Sequence, residues 1–288
     1  MAERGLVLGG GGIAGIAWEL GFLMGVKYTS KPVWQALLDS DVIIGTSAGS
    51  TVAAQISSGT PLEALYERQL GDATEEISPQ FDPEELGAVY AGVLNSGSSS
   101  VRELLQGIGE MAARAETVSV QARRSVIESR LPSHHWPERE LKITAIDIGS
   151  GEMVVFDRHS GVDFVDAVAA SCAVPGIWPP VPIGARRFMD GGVASSANIS
   201  LAQVCRRVVV LAPTREPGGN LLGGDLAAEA ATLPDSLVHI AFADDASVEA
   251  FGVNPLDPST RRASAIAGRA QGVEGASGLA GFLVVAEA

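Results

Sequence analysis

The sequence predicts an α/β fold in which a largely parallel sheet is covered by helices on both faces. Short apolar runs, which are typical of buried strands, alternate along the chain with helical stretches. Strands that are buried on both faces are expected in parallel sheets. Since no linker divides this pattern, we expect a single domain over residues 1–288.

The first two expected strands each run into a tight loop and a helix. Residues 5–8 form the first apolar run, and after four consecutive glycines we expect a helix over about 15–26. Residues 41–44 form the second run, which leads through the small residues 45–49 into a closely packed helix over 48–58. The amino-terminal part of the chain therefore contains two strand, loop and helix units.

Polar, helical sequence interrupts the pattern from about residue 61 to residue 137. Its clearest helices are residues 82–94 and 119–131. We therefore expect a helical cap or insertion at about 61–137 within the single domain.

Strands and helices return in the second half of the chain. Two β-rich runs within 141–156 flank Gly149 and Gly151, which predicts a hairpin. The other expected elements are helices at 164–172 and about 257–270, strands at 206–213 and 236–242, and a short alanine-rich helix between those two strands.

Composition excludes several classes of function. A net charge of −14 disfavours nucleic acid as a partner, because such binding depends on basic residues, but it is compatible with peripheral contact with neutral lipid. Charged residues interrupt every apolar stretch before it reaches the length of a membrane span. The first residues resemble no secretion signal, so we expect a cytoplasmic protein.

The two cysteines, Cys172 and Cys205, lie far apart and lack CxxC spacing. The sequence therefore predicts buried free thiols and no metal site.

The glycine run matches a nucleotide-binding pattern only in part. Gly10, Gly12 and Gly15 satisfy G-x-G-x-x-G between a strand and a helix. A dinucleotide site also requires an acidic residue at the end of the second strand, and that strand ends in glycine, threonine and serine. No Gly-Lys-Ser/Thr sequence closes the run as in a P-loop, so we expect no nucleotide cofactor.

The second loop contains Gly45-Thr46-Ser47-Ala48-Gly49, a G-x-S-x-G motif between a strand and a helix. This motif is typical of a nucleophile elbow, in which Gly45 and Gly49 permit close packing around an exposed serine. Ser47 would lie at a helix N-terminus, where the helix dipole favours developing negative charge. Ser47 is therefore the candidate nucleophile.

Parallel strands that are neighbours end at the same sheet edge, so the glycine run is expected beside Ser47. Its backbone N–H groups at Gly10, Gly11 and Gly12, joined by that of Ala48, would then form an oxyanion hole.

Two candidates remain for the base that activates Ser47. Asp190 precedes two glycines that permit a tight turn, and the apolar residues around it would raise its pKa. His239 completes the chain order Ser47, Asp190, His239 of a Ser-His-Asp esterase, but it lies inside an apolar run. The other histidines, His134, His135 and His159, are expected at the surface.

Four ordered segments resemble the patatin-like phospholipases: "LVLGGGGIAG" at 6–15, "GTSAGS" at 45–50, "ASCAVPGIWPPV" at 170–181 and "DGG" at 190–192. The resemblance implies a three-layer α/β/α patatin-like fold and hydrolysis of lipid acyl esters by a Ser-Asp dyad. It implies Ser47 as nucleophile, Asp190 as base, an oxyanion hole at the glycine loop, and no metal or organic cofactor.

The sequence departs from the family pattern at two places. Ala14 stands where the family usually carries Arg or Lys. The Asn-x-Pro sequence that often follows the Asp-Gly-Gly motif is missing here, and we expect Asn198 to form a comparable turn. These departures bear on substrate preference more than on the reaction. A lipid-binding or regulatory protein without turnover is the alternative from a different class. Ile13, Trp18, Ile177 and Trp178 would suit an acyl chain near the mouth of the site, and they are equally typical of core residues.

Overall fold

A computed structural model describes residues 2–284, apart from 73, 80–81, 96, 219–221 and 223. Within these residues the centre of the molecule is one eight-stranded sheet. The strands are β1 (Ala2–Leu8), β2 (Val42–Gly45), β3 (Glu140–Asp147), β4 (Met153–Phe156), β5 (Val181–Ile183), β6 (Arg186–Asp190), β7 (Cys205–Ala212) and β8 (Leu237–Phe242).

The strand order is β5-β6-β3-β2-β1-β7-β8, and β4 also pairs with β3. In the order of the sheet, the neighbours β3, β2, β1, β7 and β8 pair in parallel. Strands β4, β5 and β6 pair antiparallel at one edge. The α/β prediction with a largely parallel sheet is confirmed. The hairpin of β5 and β6 is absent from the sequence prediction, because β5 has only three residues and β6 begins with two arginines.

Helices flank the sheet on both faces. They are α1 (Gly12–Thr29), α2 (Lys31–Leu38), α3 (Ala48–Ile56), α4 (Leu62–Leu70), α5 (Pro83–Leu94), α6 (Val101–Arg114), α7 (Val120–Arg130), α8 (Phe164–Ser171), α9 (Leu226–Ala230), α10 (Asp245–Phe251) and α11 (Arg261–Val284). Helix α1 begins three residues earlier than expected, and α11 continues well beyond the expected end.

Helices α1 and α11 pack with their backbones in contact. A Cβ atom placed on Gly21 would lie 2.2 Å from the carbonyl oxygen of Ala265, and one on Gly272 would lie 2.1 Å from that of Phe22. Only glycine permits this approach, and α1 is consequently buried almost all round. The packing holds the first turn of α1, which carries the glycine run, against the sheet.

The predicted insertion contains helices α4 to α7. The last three helices are capped at their N-termini by Asp82, Ser100 and Ser119 respectively. The side chain of each capping residue accepts a hydrogen bond from a backbone N–H group in the first turn. Helix α5 is largely exposed, whereas α7 buries a face that includes Arg123 and Arg130. The insertion is thus attached to the body mainly through α4, α7 and one face of α6.

None of the helices in the described residues combines the length and the hydropathy that crossing a bilayer requires. Cys172 and Cys205 are both free and buried, as the sequence predicts.

Candidate active site

Ser47 lies in a sharp turn between β2 and α3. Its backbone has φ 53° and ψ −116°, a conformation that is costly for a residue with a side chain. The turn is enforced by close packing, since a Cβ atom on Gly49 would lie 2.0 Å from the carbonyl oxygen of Leu8. One on Gly45 would lie 2.5 Å from the Cα atom of Ser50. Both glycines of the sequence motif are therefore required by geometry.

Neighbouring hydroxyl groups hold the backbone of Ser47. The Ser47 N–H donates to Ser171 Oγ at 2.9 Å, and Ser50 Oγ donates to the Ser47 carbonyl at 2.6 Å. Ser171 ends α8, so a helix from a distant part of the chain fixes the turn. These bonds satisfy the peptide groups on both sides of the strained residue.

Asp190 ends β6 and is brought to Ser47 by strand pairing. Strand β6 runs antiparallel to β3 with Asp190 opposite Ala145, and β3 is the parallel neighbour of β2. Ser47 Oγ donates a hydrogen bond to Asp190 Oδ2 at 2.7 Å. Oδ1 accepts from the Gly192 N–H at 2.7 Å. The structure thus places the two predicted residues in direct contact.

The Asp190 carboxyl group is almost completely buried, and this burial raises its pKa to about 7. The hydrogen bonds from Ser47 and Gly192, and the nearby charge of Arg123, act in the opposite direction and favour the carboxylate. A carboxyl group with a pKa near neutrality can accept a proton and return it at physiological pH.

The glycine loop lies beside Ser47, since a Cβ atom on Gly10 would lie 3.5 Å from that of Ser47. The Gly10 N–H, however, donates to the Ser196 carbonyl at 2.7 Å, so in this arrangement it is not available to a substrate oxygen. Gly11, Gly12 and Ala48 have N–H groups without an acceptor among the described residues. These three are the donors that remain for an oxyanion.

Residues from the last third of the chain hold the glycine loop in place. Pro213 packs against Gly11, and the Pro255 carbonyl accepts from the Ala14 N–H at 2.9 Å. Gly12 has φ +65°, and a Cβ atom there would lie 2.8 Å from the Pro255 oxygen. The loop is therefore fixed by segments that sequence analysis did not connect with it.

Glu19 of α1 lies beneath the start of this loop. Its Oε1 accepts from the Gly9 N–H at 2.9 Å, while Oε2 is buried without a partner among the described residues. Complete burial raises the pKa of Glu19 well above its ordinary value. Burial thus favours the neutral form of Glu19, whose side chain supports the loop through its hydrogen bond with Gly9.

A small cavity of about 20 Å³ lies over Ser47, which leaves room for about one water molecule. Arg123 of α7 and Trp178 form part of its wall, together with Leu256. The Arg123 guanidinium carbon lies 3.8 Å from the centre of a Trp178 ring. The insertion therefore contributes directly to the surroundings of the candidate nucleophile.

A larger cavity of about 480 Å³ shares the wall residues Ile13, Ile16 and Arg130 with the small one. Arg130 forms a buried pair with Glu76 through Nε at 2.7 Å and Nη2 at 2.8 Å. The remaining wall is mostly polar or charged, with Gln55, Arg68, Gln69, Gly71, Thr74, Glu75, Ser129 and Arg261.

His239 is not brought to Ser47. It lies in the middle of β8, three strands away from β2, a separation of about 14 Å across the sheet. Its ring packs against Phe282, and burial lowers its pKa. The other three histidines are exposed, as predicted.

The residues expected around an acyl chain divide into two groups. Ile13 and Trp178 line the cavity at Ser47, and Ile177 precedes Trp178 in the same turn. Trp18 is a core residue whose Nε1 donates to Ser247 at 2.9 Å and to Gln271 at 3.0 Å. Of the two interpretations that the sequence leaves open for Trp18, the structure supports the core residue, because α1 turns this side chain toward α10 and α11.

Asn198 supports the elbow from the side of β6. It adopts the left-handed conformation with φ 55°, and its Nδ2 donates to Thr46 Oγ1 at 3.0 Å. The turn function expected for Asn198 is thus accompanied by a buried link to the residue before Ser47.

Sequence analysis missed Arg123 and Ser171. Arg123 could have been noticed, because it occupies a buried face together with Val126, Ile127 and Arg130 at helical spacing. An arginine in such a position requires a reason. Ser171 gives no comparable signal, since only the pairing of distant elements brings it to Ser47.

The model of the family described as patatin-like phospholipase matches residues 6–202, more than half of the chain. Among solved structures, the chain is similar to the type III effector protein ExoU, with 17% identity and a TM-score of 0.40 over 96% of this chain and 53% of that chain. It is also similar to VipD from Legionella pneumophila, with 14% identity and a TM-score of 0.36 over 87% of this chain and 54% of that chain. The chain spans about half the length of both.

Proposed function

Because the chain belongs to the patatin-like phospholipase family, we propose that it is a serine acyl hydrolase that cleaves carboxylic ester bonds of phospholipids or related lipids. Ser47 is the nucleophile and Asp190 is the base. The single observation that carries this proposal is the 2.7 Å hydrogen bond from the strained Ser47 to the buried Asp190 carboxylate.

The first half of the reaction forms an acyl-enzyme. Asp190 accepts the Ser47 hydroxyl proton while Oγ attacks the ester carbonyl carbon. The carbonyl oxygen becomes an oxyanion, for which the N–H groups of Gly11, Gly12 and Ala48 are the candidate donors. When the tetrahedral intermediate collapses, the ester C–O bond breaks and Asp190 returns its proton to the leaving alcohol.

The second half releases the acid. Asp190 takes a proton from a water molecule, whose oxygen attacks the acyl carbon. The bond from that carbon to Ser47 Oγ then breaks, and Asp190 returns the proton to Oγ. The cavity over Ser47, with room for about one water molecule, is a suitable site for this step.

The proposal extends to the whole chain as one domain with its insertion at about 61–137. Strands β7 and β8 belong to the same sheet as β1, and α11 packs on α1, which supports a single unit beyond the residues that the family model matches. Lipid esters presented at a membrane surface, reached by peripheral contact from the cytoplasm, are the proposed substrates.

The proposal is tested by hydrolysis of a short-chain chromogenic ester. Ser47→Ala should lower kcat/KM by at least about 10³-fold, and Asp190→Asn should also cause a large loss. Ser57→Ala is the matched control, because it lies at the other end of α3 and its buried hydroxyl has no partner among the described residues. His239→Gln should retain the rate of the wild type.

A different result would change the assignment. If a folded wild type neither hydrolyses esters nor reacts with a covalent serine probe, the lipid-binding alternative replaces the hydrolase. If His239→Gln abolishes turnover while circular dichroism shows an intact fold, the Ser-Asp dyad is wrong.

A further inference from the structure

Arg123 is a buried cation that forms no direct ion pair among the described residues, although the charges of Glu76 and Asp190 act on it from a distance. Its side chain is only 4% exposed, and Nε and Nη1 are buried without a hydrogen-bond partner among the described residues. The neighbouring Arg124 pairs with Glu128, Asp163 and Asp166, and Arg130 pairs with Glu76. Leaving a guanidinium unpaired in the interior is costly, so a site that retains one is expected to receive an anion.

The position of this cation is fixed beside the nucleophile. Stacking on Trp178 orients the guanidinium plane, and Arg123 lines the same small cavity as Ser47. Burial and the neighbouring Arg130 lower the pKa of Arg123 to about 9, so the group still carries its charge at neutral pH. At the edge of the guanidinium, Nε and Nη1 carry N–H donors that have no acceptor among the described residues.

The other charged groups around Ser47 do not neutralise Arg123. The Glu76 carboxylate is held by Arg130, and Asp190 becomes neutral when it accepts the proton of Ser47. The glycine loop itself carries no charged side chain from Gly9 to Gly15. Once Asp190 is neutral, Arg123 is the positive charge that remains beside the developing oxyanion, in a cavity with room for about one water molecule.

On the basis of the proposed hydrolase function, we propose that Arg123 binds a phosphate group of the substrate that lies close to the scissile ester. A guanidinium presents several N–H groups in one plane, which matches phosphate oxygens better than a point charge does. The phosphate would lie against Arg123 in the small cavity, on the side of Arg130, which lines both cavities, with the scissile carbonyl at Ser47.

The larger cavity supports this orientation. Its wall carries several arginine, glutamate and glutamine side chains, which suit a polar ligand group. Its volume of about 480 Å³ is large enough for such a group. A hydrocarbon chain would displace water from those polar side chains, which is unfavourable. The remainder of a headgroup would therefore occupy this cavity, and the acyl chain would leave the site elsewhere.

The test compares two esters that differ only in the phosphate, dihexanoyl phosphatidate and dihexanoylglycerol. In Arg123→Gln, the ratio of kcat/KM for phosphatidate to that for dihexanoylglycerol should fall by about 10- to 100-fold, as expected for loss of charged hydrogen bonds. Arg123→Lys should give an intermediate ratio. Arg124→Gln, the same change at the next residue, should keep the wild-type ratio.

Isothermal titration calorimetry measures the binding of ligands that contain no carboxylic ester bond, and it provides a second, independent test. Hexyl phosphate should bind the wild type at least about 10-fold more tightly than hexanoate or hexanol, and Arg123→Gln should lose this preference. This comparison on the wild type remains decisive if the Arg123 variants do not fold.

The outcomes separate the two proposals. If neither ester is hydrolysed but hexyl phosphate binds through Arg123, the anion site stands and the hydrolase function fails. If both esters are hydrolysed and Arg123→Gln lowers both equally, or hexanoate binds as tightly as hexyl phosphate, the phosphate assignment is overturned and the hydrolase function stands.

Discussion

The body of the molecule and its helical insertion are built in different ways. In the body, Ser47 and the glycine loop are fixed by backbone contacts, such as that between Gly49 and Leu8. In the insertion, Gly87 and Gly92 of α5 have nothing within 4 Å of the place where a Cβ atom would be. Most of α5 and one side of α6 are exposed.

The difference separates two tasks. The geometry of the Ser47 and Asp190 pair depends on backbone contacts that are too close to accommodate even one additional methyl group. The insertion contributes a few side chains, Arg123 above all, to a wall that changes in its sequence could reshape without disturbing the pair. On the proposed function, the body would perform the chemistry and the insertion would contribute to substrate choice.

The strongest test of this comparison replaces one glycine with alanine in each of the two regions. Gly49→Ala should destabilise the protein by about 3 kcal/mol or more, because its Cβ atom would collide with the Leu8 carbonyl. Gly92→Ala should stabilise it by about 0.5 to 1 kcal/mol, since alanine favours an exposed helix. Denaturant unfolding of both variants measures the two effects. Similar values for the two would remove the contrast.

The pH dependence of turnover tests the burial of Asp190. With a pKa of about 7 and the carboxylate as the active form, kcat/KM for a neutral ester should rise with pH and level off above neutrality. At pH 5 about 1% of the carboxyl is ionised, so the rate should be about 100-fold below the plateau. An ordinary aspartate would give a flat profile between pH 5 and 8, which would contradict the structure.

The same pKa predicts a change in stability with the opposite direction. A carboxyl group whose pKa is raised by folding lowers the free energy of unfolding once it ionises. This loss is absent below the ordinary pKa of 3.8 and grows until the pH reaches about 7. Asp190→Asn removes this loss. Relative to the wild type, it should therefore gain about 2 to 3 kcal/mol more stability at pH 8 than at pH 5.

The smallest effect on activity is expected for Glu19→Gln. Because burial raises the pKa of Glu19 and favours its neutral form, and because Oε1 accepts from the Gly9 N–H, this variant should keep activity within about 3-fold of the wild type. Glu19→Ala leaves a cavity beneath the glycine loop and should cost about 2 to 3 kcal/mol. Thermal unfolding and ester hydrolysis of the two variants distinguish support of the loop from a charge-dependent role, which would make both variants equally inactive.

The sequence predicted the parts of the site that local chemistry dictates. Gly45 and Gly49 around Ser47, and the two glycines after Asp190, are signals that reflect tight turns, and the contact of Ser47 with Asp190 follows from them only once the sheet order is known. That order depends on the antiparallel edge of β5 and β6, which the sequence does not reveal because β5 has only three residues and β6 begins with two arginines.

Hydrogen bonds across the fold could not be predicted in the same way. The Gly10 N–H, expected in the oxyanion hole, is taken by the Ser196 carbonyl, and no pattern in either segment indicates this pairing. The early start of α1 at Gly12 likewise reflects the Pro255 carbonyl that accepts from Ala14. Tertiary contacts decided both outcomes.

The interlocked backbones of α1 and α11 set a practical boundary for work with fragments. The family model ends at residue 202, yet Gly268 and Gly272 of α11 cover the apolar side of the helix that carries the glycine loop. A fragment cut at residue 202 would expose that side to water and invite aggregation. The smallest piece worth expressing therefore extends to the end of α11.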